Sequence, residues 1–149
     1  MSFRADKGCM KNYDESTGTW IRKVSEEFYS LVYEHPWLKQ VFANVPQEHI
    51  TNQQVDFVIG AFGGPEAYSG RNPGDAHPHI FISEEMWEVR EEILKLAFER
   101  TQCPAEISVR WLKIENAFKK QIVMKDPSEC KGRFTTDELI IIPKPKQAA

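Results

Sequence analysis

VDFVIGAFGGPEAYSGRNPGDAHPHIFI, residues Val55 to Ile82, is the stretch whose reading decides the fold. Its first part is apolar at helical spacing, and that pattern stops at Gly63-Gly64-Pro65. Glycine frees the chain to take positive φ, and proline forbids the helix from continuing. An irregular loop follows, carrying Tyr68, His77 and His79, and a new helical pattern opens at Ser83. The loop is too short to be a linker, yet it holds Tyr68 and two of the four histidines.

Upstream, Trp20, Ile21, Val24, Phe28, Leu31 and Val32 recur at helical spacing and predict a helix over 16–34, capped by Ser16 or Thr17. It ends ahead of Pro36, because the residue before a proline disfavours helical torsions. Trp37 to Phe42 reads as a short turn that brings Phe42 inward. Pro46 fits the first turn of the next helix, which runs to about Phe62 with Ile50, Gln54, Phe57, Val58 and Ala61 on one face. Downstream, Ser83 opens a third long helix with the stripe Met86, Val89, Ile93, Leu96 and Ala97. Pro104 precedes a fourth, whose stripe is Ile107, Trp111, Ile114, Phe118 and Ile122.

The body shows no sustained period-two alternation, so the chain reads as all-α. Residues 1–12 read as a loose arm, 13–126 as the helical domain and 127–149 as an irregular extension. Within the extension, Leu139 to Ile142 is either a short extended segment packed on the body or a tail. Four amphipathic helices can pack as two crossed pairs and leave room for a flat, mostly apolar ligand.

With 149 residues, 41% hydrophobic and 28% charged, the chain has the size and composition of one globular domain. No run reaches the ~18 apolar residues of a spanning helix, and the start lacks an apolar signal core, so neither a membrane nor export is expected. A net charge of −3 gives no support to nucleic-acid binding. Cys9, Cys103 and Cys130 are odd in number and far apart, which suits free thiols in the cytoplasm.

Four polar residues break the apolar patterns. Gln54 sits within a stripe; a buried amide needs partners or costs on the order of 1–3 kcal/mol, so it bonds either a core neighbour or a bound ligand. Tyr29 lies beside the stripe of Val24, Phe28 and Leu31 and is either a core-edge tyrosine or a donor to a ligand. Arg90 follows Met86 on a partly apolar face, and either lays its stem there with its head in water or serves a pocket. His77 stands in the loop, where a lone histidine is ordinarily just a polar side chain.

Taken together and in order, Phe28-Tyr29, Phe42, Gln54, GGPEAYSGR at Gly63 to Arg71, and Ala76-His77 resemble the truncated globins, the short two-over-two members of the globin superfamily. The resemblance covers Tyr13 to Ala97. It implies a globin-like two-over-two helical sandwich around haem b, with His77 as the ligand to its iron. Phe42 would pack on the haem face, with Phe28, Phe57, Val58, Phe81, Trp87 and Arg90 around it. Tyr29, Gln54 and Ile50 would stand on the opposite, distal side. Ile82-Ser83 aligns with the pair that opens the next helix, which favours His77 over His79. Thr17-Gly18 replaces the usual Gly-Gly, Arg90 stands where a related subgroup has tryptophan, and Ile50 takes the place many globins give to histidine. His49, one residue away, would be a sixth ligand if the register shifted.

The implied function is reversible binding of dioxygen or nitric oxide. Nitric oxide dioxygenase activity is a possible extension that needs a separate reductase as partner. A peroxidase-like haem enzyme and a non-haem all-α interaction module are the alternatives.

Overall fold

In the computed structural model, residues 13–65 and 73–146 are described. The arm at 1–12, the loop segment 66–72 with Tyr68, and 147–149 lie outside them. Among the described residues there are six α-helices: α1 (Glu15–Val32), α2 (Leu38–Val41), α3 (Gln47–Ala61), α4 (Pro73–Ala76), α5 (Glu84–Thr101) and α6 (Ala105–Ile122). A 3-10 turn, Pro127–Glu129, follows. None of these helices is long and apolar enough to cross a membrane.

The first helix starts two residues earlier than its cap was expected. Asp14 is the cap: its carboxylate accepts the Thr17 N–H at 2.9 Å, and the Ser16 and Thr17 hydroxyls donate to the same oxygen. The carboxylate satisfies an orphan amide and complements the positive end of the helix. Pro46 sits one place ahead of its expected position, at the cap of α3 with extended torsions, where its missing N–H is harmless. Ser83 caps α5 as expected, accepting from the Met86 N–H at 3.1 Å.

α1 is the central rod and packs on both α3 and α5. Ile21, Val24, Phe28 and Val32 are almost wholly buried. Burying each such side chain contributes about 1.5–3 kcal/mol. The inner stripe of α5 is Met86, Leu94, Ala97 and Phe98; Leu96, placed inside by its spacing, is 41% exposed. Ala61 on α3 is likewise exposed. Trp111 of α6 is fully buried, with its ring edge-on to Phe98 at 5.4 Å.

The glycine pair does two different things. Gly63 takes φ 89°, the left-handed turn that ends α3. Gly64 lies so close to Tyr13 and Ile59 that a Cβ would sit 2.7 Å from the tyrosine ring and 2.8 Å from the isoleucine methyl.

The extension is not a free tail over its described length. Ile140 forms a parallel bridge with Ile80, and the Trp37 indole donates to the Ile142 carbonyl at 2.9 Å. Leu139 and Ile141 face water, whereas Ile140 and Ile142 turn inward. That alternation is strand-like, as the extended reading expected.

Candidate functional site

A cavity of about 470 Å³ opens between the helices. It falls within the ~300–1,000 Å³ of small-molecule and cofactor sites. α3 builds one wall because it carries two faces. Thr51, Val55 and Val58 are buried in the core, while Ile50, Gln53, Gln54 and Phe57 line the cavity. Phe28, Tyr29 and Val32 of α1 and Phe42 form a second wall. Met86, Trp87 and Arg90 of α5 meet Ile114, Glu115 and Phe118 of α6 on a third, and His77, His79 and Ile80 come from the loop after α4.

Most of the sequence-predicted residues therefore converge. Phe28, Tyr29, Phe42, Ile50, Gln54, Phe57, His77, Trp87 and Arg90 share this one space. Two do not. Val58, 1% exposed, is turned into the core with Thr51 and Val55, on the flank of α3 next to the face that carries Ile50 and Gln54. Phe81 is not among the lining residues; its backbone N–H is tied to the Ile140 carbonyl at 2.9 Å. His49, raised as a shifted-register ligand, is an exposed residue that also lines the cavity.

Aromatic rings define the shape on one side. Tyr29 packs edge-on to Phe28 at 4.8 Å and to Phe42 at 5.8 Å, and Phe42 stacks on Tyr33 at 5.6 Å. The Tyr33 hydroxyl donates to the Val45 carbonyl at 2.7 Å, which fixes that stack. On another side Phe57 meets Phe118 edge-on at 5.6 Å.

Against these rings the polar atoms stand out. Gln54 Nε2, Trp87 Nε1 and His79 Nδ1 are buried and have no hydrogen-bond partner among the described residues. Buried donors left unpaired cost free energy, so several on one cavity mark a place where something else completes them. Tyr29 lines the same cavity and is only 4% exposed. Burial pushes its ionisation far above the ordinary phenol range, against the opposing pull of Arg90. It is therefore a protonated hydroxyl.

Arg90 is held in a two-pronged ion pair. Its guanidinium donates to both oxygens of Glu115, with Nη2 to Oε2 at 3.2 Å, and lies over the rings of Phe28 (5.1 Å) and Trp87 (5.3 Å). Burial works against the charge on Arg90, and Glu115 more than offsets it, so the pKa is raised. Glu115 also accepts from the Trp111 indole at 3.3 Å. Sequence reasoning passed over Glu115. The available signal was an acid at helical spacing from Trp111, Phe118 and Ile122 on an otherwise apolar stripe. Among the described residues no group of three or more His, Cys, Asp or Glu side chains could hold a metal ion by itself.

In sequence and fold the chain is similar to known proteins. A 50-residue segment is 40% identical to the group 1 truncated hemoglobins of Tetrahymena pyriformis and Tetrahymena thermophila; it covers 34% of this chain and 41% of each of theirs. The fold superimposes on the truncated hemoglobin of Tetrahymena pyriformis in its Fe(III) form with a TM-score of 0.64 and 24% identity, covering 70% of this chain and 90% of that one. A tyrosine-to-phenylalanine variant of that protein gives the same TM-score at 23% identity. The helices thus have the two-over-two globin fold. The family model of the bacterial-like globins matches residues 12–123, and by that match the chain belongs to the bacterial-like, truncated globins.

Proposed function

We propose that the protein binds a diatomic gas, dioxygen or nitric oxide, at the iron of a haem b held in this cavity and ligated by His77. Membership of the globin family implies haem, and the residues present fit it. The walls are mostly apolar and aromatic, as a flat macrocycle requires, and two histidines, His77 and His79, line the space from the loop side. The observation that carries the reading is the buried Gln54 Nε2, without a partner among the described residues, on the same cavity as Tyr29 and His77.

When bound, haem would supply an iron able to take up a small ligand. The chain does the rest. His77 would present an imidazole nitrogen to the iron, and the partner of its other nitrogen would set the ring's orientation. Phe42 would pack on the haem face, with Phe57 lining the pocket, and the apolar walls would exclude water. Tyr29 and Gln54 would donate to a small ligand that carries partial negative charge. Each such bond stabilises a charged acceptor by roughly 1–2 kcal/mol, so the pair slows dioxygen escape by about 10–1,000-fold. Carbon monoxide, less polarised, gains less. Tyr29→Phe and Gln54→Ala should accordingly each raise the dioxygen off-rate by about 5–30-fold in stopped-flow displacement, with a smaller effect on carbon monoxide. An unchanged dioxygen off-rate in both variants would reject the distal assignment.

Turnover of nitric oxide to nitrate on the same site would draw electrons from a separate reductase. Consumption of nitric oxide by the oxygenated protein, with and without a reductant, separates carrier from enzyme. The peroxidase-like alternative is disfavoured, because Arg90 is held by Glu115 rather than presented to a peroxide. Cys103 and Cys130 are free thiols, which suits a reducing compartment such as the cytoplasm.

A further inference from the structure

The family match ends at residue 123, yet the chain beyond it returns to the cavity, where Arg133 and Ile140 both form part of the wall. Backbone hydrogen bonds tie this return to the loop that carries His77. Lys131 N–H donates to the Pro78 carbonyl at 2.9 Å, and Ile140 N–H donates to the His79 carbonyl at 2.8 Å. Within the returning segment Asp137 grips Arg133. One carboxylate oxygen accepts from Nε at 3.0 Å and from the Arg133 backbone N–H at 2.6 Å, and the other accepts from Nη2 at 3.3 Å.

A guanidinium has five N–H donors in a rigid fork, and Asp137 uses two of them. It fixes the plane of the group and leaves the Nη1 edge for another acceptor. His79 lies on the same cavity, 8% exposed, with Nδ1 buried and without a partner among the described residues. An arginine fork beside an imidazole N–H is a donor set for a carboxylate. We propose that Arg133 and His79 form a carboxylate-binding end of the cavity, completed by the C-terminal extension, which holds an acid group of the bound prosthetic group. This rests on the haem reading, since haem brings two carboxylates on an otherwise apolar disc. Arg133 and Asp137 together carry no net charge, so the attraction is short-range and directional.

The test uses the full-length protein loaded either with haem or with haem dimethyl ester, whose carboxylates are blocked. Loss of each to an excess of a globin scavenger is followed in the Soret region. Wild type should lose the ester faster than the free acid. Arg133→Met should speed loss of the free acid by roughly three- to tenfold and leave loss of the ester unchanged. His79→Phe, which keeps the backbone carbonyl that Ile140 uses, should show the same selectivity. Equal acceleration of both forms would mean that Arg133 acts only by packing, and would overturn the proposal. So would no change in either. A wild type that takes up haem but does not distinguish acid from ester sinks this inference alone, whereas a wild type that takes up no haem sinks the haem reading beneath it.

Discussion

Replacing His77 with alanine should abolish stable haem binding. The loop after α4 brings two histidines to the cavity, and only one is in the position that the family resemblance gives to the iron ligand. Losing even an outer partner of a metal-bound histidine typically costs about 10–100-fold in affinity, so losing the ligand itself should cost more than about 100-fold. Haemin titration of His77→Ala should then give a weak, broadened Soret band that gel filtration strips away. His79→Ala should keep the band, with the modestly faster loss expected from its place beside Arg133. The reverse pattern would transfer the iron to His79. That outcome would change the chemistry of the loop, because His79 is the more deeply buried of the two and its burial lowers its affinity for protons.

The second large effect is on stability. Glu115→Ala should destabilise the fold by about 2–4 kcal/mol, read as a lower urea midpoint at unchanged slope. Glu115 is 12% and Arg90 23% exposed at the side chain, and the substitution leaves a guanidinium with no counter-charge over two aromatic rings. That partial exposure lets the arginine recover some hydration, so the cost falls short of a fully buried pair broken in half. The Trp111 indole loses its acceptor as well. The double variant Arg90→Met with Glu115→Gln should recover most of the loss, because it removes both charges and keeps a carbonyl oxygen for the indole. A double variant as unstable as Glu115→Ala would show that the charge pair itself, rather than the uncompensated arginine, is what matters.

The helices were legible because they depend on local spacing; most of the residues that share the cavity were named by the resemblance to the truncated globins. Gln54 and Tyr29 announced themselves as polar residues on apolar stripes, and Gly63 and Gly64 marked a turn that only glycine fits. Val58 was misplaced for a physical reason. α3 is apolar on two sides, one toward α1 and one toward the cavity, so a single broad stripe hides the division between 50, 54, 57 and 51, 55, 58. Leu96 failed similarly, because the inner face of α5 runs through Leu94 and Phe98. The partner of Arg90 was out of reach, since Glu115 lies on another helix 25 residues away. The extension was harder still. Its four apolar residues read as a strand or a tail, and nothing local says that Ile140 pairs with Ile80 or that Arg133 reaches the cavity.

The most direct measurement is the absorption spectrum of the full-length protein after haemin addition, reduced and then exposed to carbon monoxide. A strong Soret band that sharpens and shifts on adding the gas is the expected result. A protein that stays colourless after the titration, or a band that ignores carbon monoxide, would contradict a gas-binding haem in this cavity.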